Sequence, residues 1–366
     1  MAEYGHGGDI YSQEVELDYS ANINPLGMPE GVKSALRSAA DLAAPYPDSA
    51  CRRLTEALAG TYGVKWDQII CGNGAADLIF QLVYGRKPGK ALLIAPSFSE
   101  YEQALRAWGT QVEYCMLREE EGFAFSLEDW KRKAEEFQPD LAFFCNPNNP
   151  TGLAVKKETV REMAEFCRER GIFLAVDECF GEFLDEPETC SVLDELEQFP
   201  NVFVLKAFTK LYAMAGVRLG YGFCADRQVL ESMEAVRQPW SVSIPAQEAG
   251  IAALKETAYV ERTKKLVAEQ RAALKKGLEQ LGFSVWNSQA NYLFFRGPEK
   301  LKEELLKRKI LIRSCANYPG LDGRYYRICV RTAGENEIFL EELEKTVKSG
   351  WPNGPEDDIL SGNQTD

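Results

Sequence analysis

Through the middle of the chain, short apolar runs alternate with segments of helical periodicity, and this alternation limits the fold more than any other feature. Residues 91–95, 141–145, 172–176, 202–206 and 220–224 have the length and composition of strands. Between them, 98–108 and 156–170 predict helices. Apolar runs of this kind are buried on both faces, so the expected fold class is α/β, a mostly parallel sheet covered by helices on both sides. Such sheets gather ligands at the carboxyl ends of their strands.

From Ile244 the pattern changes. A long helical stretch rich in Ala, Glu and Lys runs to about Leu281. Shorter strands are predicted at 292–295, 310–312 and 326–330, with helices over 300–309 and from Glu335. The expected organisation is a large domain over 46–245 and a smaller α+β domain over 246–349. Residues 1–45 form an arm whose helix, 30–42, joins the small domain. The Gly-, Pro-, Asn- and Asp-rich residues 350–366 predict a frayed tail.

A chain of 366 residues suits two modest domains. Its net charge of −14 argues against general attraction to nucleic acid or to an anionic membrane. An anionic substrate would therefore need a local basic pocket, which directs interest to individual arginines. No run of about 18 apolar residues predicts a membrane span, and the first residues lack a signal-peptide pattern. The ten cysteines are scattered without a C-x-x-C pair, and residues such as Cys145, Cys179 and Cys329 sit in apolar runs. They are expected to be reduced core thiols in a cytoplasmic protein, with no metal site.

Three segments follow or end predicted strands: 146–152 (Asn-Pro-Asn-Asn-Pro-Thr-Gly), Asp177-Glu178, and Thr209-Lys210 followed by Arg218. Lys210 has apolar neighbours, and a partly buried amine loses preference for its charged form. Asp177 closes a hydrophobic strand, where a carboxylate is either a helix cap or a functional group. Asn149 is either a turn residue or a ligand-binding amide. Gly72-Asn73-Gly74-Ala75-Ala76 lies between a strand and a helical pattern, where small residues let backbone amides approach an anion. Tyr101 is a core aromatic or a residue that stacks on a bound ring. Arg313 and Arg331 each end a predicted strand; either makes a surface ion pair or binds an anion bidentately. The sole histidine, His6, lies in a glycine-rich arm and from its surroundings alone is a surface residue.

Taken in this order and spacing, the segments resemble the fold type I pyridoxal-phosphate enzymes, the aspartate aminotransferase superfamily. The resemblance implies pyridoxal 5'-phosphate as cofactor, with Lys210 as the Schiff-base lysine, Asp177 on the pyridine nitrogen and Asn149 on the ring oxygen. It implies that Gly74, Ala75, Ala76, Thr209 and Arg218 cradle the phosphate and that Tyr101 stacks on the ring. Tyr46 would reach the cofactor phosphate of a second subunit, in a homodimer with shared sites. Two departures stand out: Phe180 where many members carry tyrosine, and Ala207 where serine is common.

Three further segments, His6-Gly7-Gly8, residues 18–27 and residues 312–321, resemble the L-threonine-O-3-phosphate decarboxylases of the histidinol-phosphate aminotransferase-like branch. For that substrate Arg331 would hold the carboxylate, while Arg313, His6 and Asn22 would hold the phosphate, beside Asn149. The implied reaction gives (R)-1-amino-2-propanol O-2-phosphate and CO₂ and belongs to cobalamin biosynthesis. Two alternatives stay open: a histidinol-phosphate aminotransferase, and a non-catalytic regulator. The latter is disfavoured by the retained Lys210 and Asp177 and by the lack of room before Tyr46 for a DNA-binding domain.

Overall fold

The computed structural model describes residues 5–349; the tail expected over 350–366 lies outside the described residues. The chain runs through β1 (Leu17–Asp18), α1 (Glu30–Ala39) and α2 (Arg52–Tyr62). It then alternates through β2 (Ile69–Gly72), α3 (Ala75–Arg86), β3 (Lys90–Ala95), α4 (Ser99–Trp108), β4 (Gln111–Met116) and α5 (Leu127–Phe137). β5 (Leu141–Cys145), α6 (Lys157–Glu169), β6 (Phe173–Asp177), β7 (Val202–Ala207) and β8 (Gly220–Phe223) follow. β2 to β8 form one seven-stranded sheet in the order β2-β8-β7-β6-β5-β3-β4. From β7 to β4 every pairing is parallel, and only β8 is antiparallel to both its neighbours. β8 can reverse because the loop from β7 contains no crossover α-helix, and antiparallel neighbours need none.

Alternate residues of each strand enter opposite cores, as the two-residue pleat requires. Leu92, Ile94, Ala142, Phe144, Leu174, Val176, Val202 and Val204 face one side, where α2, α5 and α6 lay down Leu54, Trp130 and Met163. Leu93, Phe143, Ala175, Phe203 and Leu205 face the other, against Leu78 and Leu82 of α3 and Ala104 and Leu105 of α4. β4 did not stand out in the sequence because it is an edge strand carrying Gln111 and Glu113, with only Cys115 buried.

After α7 (Arg227–Val236), the helical stretch expected as one piece is two helices, α8 (Ile244–Ala253) and α9 (Thr257–Gln280). No Gly or Pro marks the break at 254–256. Tertiary packing makes it: α8 is held among α1 and α2, while α9 leaves for the second sheet. At the junction the Lys255 and Glu256 amides bond three residues back, to Ala252 and Ala253, tightening the last turn.

The remainder is β9 (Ser284–Val285), β10 (Tyr292–Arg296), α10 (Leu301–Leu306), β11 (Ile310–Leu311), β12 (Arg313–Ser314), β13 (Tyr325–Cys329) and α11 (Ala333–Lys348). An antiparallel sheet in the order β12-β13-β10-β9 packs with α9, α10 and α11 around Leu274, Leu293, Leu305, Ile328 and Phe339. The N-terminal arm reaches this region through β1, which pairs parallel with β11, and through Tyr19, buried in the same core. α1 lies instead on α8.

Phe203 is 1% exposed at the centre of the large sheet. Phe203→Ala should cost about 3–5 kcal/mol in urea denaturation. A loss under about 1 kcal/mol would mean that the core around β7 collapses to fill the gap.

Candidate active site

The carboxyl ends of β3, β5, β6 and β7 meet at one edge of the large sheet, and a cavity of about 320 Å³ opens there toward β12 and β13. That volume is in the range of small-molecule sites. Lys210 lies three residues past the end of β7. Its loop is pinned from behind by Asn24 of the arm: the Asn24 amide donates to the Lys210 carbonyl (3.1 Å), and its side chain donates to Leu211 O (2.6 Å) and Thr263 Oγ1 (2.7 Å). Burial pushes the Lys210 amine down to about 8, with help from the guanidinium groups of Arg327 and Arg218. Burial raises the Asp177 carboxyl. Its two oxygens accept from the Cys179 amide (2.9 Å) and the Tyr101 hydroxyl (2.5 Å), both neutral, and it has no cationic partner among the described residues.

Ala75 and Ala76 open α3 after Gly74, so their unbonded amides face the cavity beside Thr209 and Arg218. The close approach depends on Gly220, where a Cβ would stand 2.5 Å from the Ala75 nitrogen. Helix terminus, hydroxyl and guanidinium together suit a phosphate. Asn149 also lines the cavity, and its Oδ1 accepts from Arg327. The residues present thus fit pyridoxal phosphate: an amine, a phosphate corner and a buried carboxylate awaiting a cation.

At the other end the wall includes His6, Asn22 and Arg313. Arg313 donates to Asn317 (2.7 Å) and lies over the Tyr318 ring. Two expectations are corrected. Arg331 does not reach the cavity: it donates to the Asp18 carbonyl (3.1 Å) and pairs with Glu335, because the chain leaves β13 before it and α11 brings that carboxylate to it. Arg327, in mid-strand, enters instead; it donates to Ser20 O (2.8 Å) as well as to Asn149, with no carboxylate partner among the described residues. Tyr101 lies behind the wall, stacked on Phe143 at 4.8 Å, and acts on Asp177 through its hydroxyl, while Phe98 provides the aromatic lining. Tyr46 is 77% exposed, stacked on Trp240 at 4.5 Å and away from the cavity.

Arg327 and Glu100 are the charged pocket residues that sequence reasoning missed. A charged residue within the apolar run 325–329 was a usable signal for the first, because a buried guanidinium needs a reason. Glu100, in the first turn of α4, gave none.

The low value of Lys210 carries a sign. Between about pH 8 and its usual 10.5 the unfolded chain holds a proton that the folded one has released, so this group's contribution to stability rises with pH across that window. In cofactor-free protein, Lys210→Met should remove that rise from the urea midpoint profile. Superimposable profiles would place the amine in solvent.

The family model for class I and II aminotransferases matches residues 15–343. The chain is 38% identical to the threonine-phosphate decarboxylase of Salmonella typhimurium, over 93% of this chain and 96% of that protein. It is 36% identical to the histidinol-phosphate aminotransferase of Nitratidesulfovibrio vulgaris, over 90% and 88%. Among solved structures it is similar to the histidinol-phosphate aminotransferase from Clostridium acetobutylicum, with a TM-score of 0.85 and 32% identity, covering 92% of this chain and 100% of that one. The chain thus belongs to the class I and II aminotransferase family, whose cofactor is pyridoxal phosphate.

Proposed function

We propose that the protein decarboxylates L-threonine O-3-phosphate to (R)-1-amino-2-propanol O-2-phosphate and CO₂, a step of cobalamin biosynthesis in the cytoplasm. The observation that carries this reading is the pair of guanidinium groups, Arg313 and Arg327, on the wall facing Lys210, neither with a carboxylate partner among the described residues. A substrate with two anionic groups would answer both. The Salmonella relative supports the same reading.

Bound pyridoxal phosphate supplies an electron sink for a bond broken at Cα. Ala75, Ala76, Thr209 and Arg218 would hold its phosphate, Asn149 its ring oxygen and Asp177 a proton on its nitrogen. Arg327 takes the substrate carboxylate, in the role expected of Arg331; Arg313, His6 and Asn22 take the phosphate. Fixing both anions sets the rotation about Cα, and that rotation decides whether the carboxylate or a proton leaves. Lys210, with an amine that titrates near neutrality, returns a proton to Cα. Residues 46–245 and 246–349 act as large and small domains on either side of the cavity. Tyr46, exposed and stacked on Trp240, would serve the phosphate site of a second copy in a homodimer.

The second reading, a histidinol-phosphate aminotransferase, is favoured by the Nitratidesulfovibrio and Clostridium relatives. Mass spectrometry of the cofactor-loaded protein with L-threonine O-3-phosphate and no keto acid separates the two. CO₂ and aminopropanol phosphate should accumulate over many turnovers. Absence of CO₂, with amino transfer from histidinol phosphate to 2-oxoglutarate, would establish the aminotransferase. Arg327→Met should lower kcat/KM by about 100-fold or more, as loss of a buried charge contact does. Arg331→Met should act chiefly on thermal stability. Equal catalytic losses in the two variants would refute the carboxylate assignment.

A further inference from the structure

Among the described residues the substrate end of the cavity contains one acid, Glu100, which is only 8% exposed. Among groups arranged for anions, a bare carboxylate would repel the ligand. Its place in the first turn of α4 explains why an acid is tolerated there. It does not explain why the side chain turns into the cavity and away from water. What Glu100 touches does: its Oε1 lies 3.2 Å from Nδ1 of His6, and its Oε2 accepts from the Ser99 hydroxyl at 3.2 Å. Burial raises the Glu100 carboxyl, and His6 is the strongest influence opposing that rise.

His6 sits on a stretch, residues 5–8, that belongs to no helix or strand. The stretch is fastened at few points. The Gly8 amide donates to Ser20 Oγ (2.7 Å), and Asn317 Nδ2 donates to the Gly5 carbonyl (3.4 Å). At Gly7 the backbone lies so close to Ser20 that a Cβ would stand 2.2 Å from the Ser20 carbonyl oxygen. Those contacts fix the backbone. Among the described residues only Glu100 fixes the imidazole, whose side chain is 52% exposed.

We propose that Glu100 is a positioning residue whose carboxylate accepts a hydrogen bond from His6 Nδ1, clasps residues 5–8 at the cavity mouth and leaves Nε2 to donate to a phosphorylated substrate. A doubly protonated ring donates from both nitrogens at once, one to Glu100 and one to the ligand, so the acid in the anion pocket is screened by the group it orients. The role of Nε2 rests on the reading of this cavity as a site for a phosphorylated amine. The clasp itself requires no particular substrate.

The test uses the cofactor-loaded protein and the variants Glu100→Ala, Glu100→Gln, His6→Ala and the double variant Glu100→Ala/His6→Ala. Hydrogen–deuterium exchange at the amides of residues 6–8, without substrate, should speed up tenfold or more in Glu100→Ala and less in Glu100→Gln. Unchanged exchange in Glu100→Ala would refute the clasp. With whichever phosphorylated amine the protein turns over, Glu100→Ala and His6→Ala should each raise KM tenfold or more and alter kcat by less. Glu100→Gln should recover part of the loss, and the double variant should be no worse than the poorer single one. Multiplying KM effects would overturn the proposal. If the substrate is histidinol phosphate rather than threonine phosphate, the exchange result and the shared KM effect stand, so failure of the clasp and failure of the assigned reaction are told apart.

Discussion

A buried guanidinium without a carboxylate is the constraint around which the site is built. Arg327 is 6% exposed, and removing its charge from water costs several kcal/mol unless hydrogen bonds or an anion compensate. Its partners are oxygens from two distant segments: the Ser20 carbonyl of the arm and Asn149 of the loop after β5. One side chain on β13 therefore ties the arm, the small sheet and the large sheet together. The same charge adds to the burial that lowers the Lys210 amine, so the group that joins the sheets also tunes the lysine.

Lys206 shows what makes Lys210 different. Both come from the end of β7, and both are removed from bulk water. Burial lowers Lys206 as well, but Glu182 and Glu178 outweigh it and its amine is raised. Glu178 at 3.2 Å and Glu182 at 2.8 Å hold it as a satisfied ion pair beneath the site. Lys210 faces cations instead and opens onto the cavity. Asp177 is its complement, raised by burial and bonded only by neutral donors. An amine and a carboxylate at the ends of neighbouring strands, neither in an ion pair among the described residues, suit a ligand that brings both a carbonyl and a basic nitrogen.

The cofactor end was legible in the sequence because its residues follow directly from strand ends. Apolar runs locate β5, β6 and β7, and the next few residues can hardly lie elsewhere than at the sheet edge. Lys210, Asp177, Asn149 and Thr209 were therefore found, and small residues after β2 exposed the start of α3. Where the outcome depended on register, the reading slipped. Phe98 and Tyr101 lie less than one helical turn apart, and only packing on Phe143 decides that Tyr101 turns inward. Arg327 and Arg331 flank the end of β13, and the contact with Glu335 of α11 removes Arg331 from the pocket. The break between α8 and α9 left no trace, because residues 252–256, Ala-Ala-Leu-Lys-Glu, all favour a helix.

The sequence by itself determined the chemistry available: a lysine, an aspartate and a phosphate corner at the edge of a mostly parallel sheet, since strand positions and the loops after them follow from local hydrophobic pattern. Tertiary structure decided which arginine lines the cavity, which aromatic lines the wall and which acid meets the sole histidine. β1, α1, α2, β2, α3 and β3 all lie between His6 and Glu100 in the chain, and no local pattern encodes their contact. Such pairings are set by how separately specified elements dock, where a shift of one residue along a strand or helix exchanges a buried face for an exposed one.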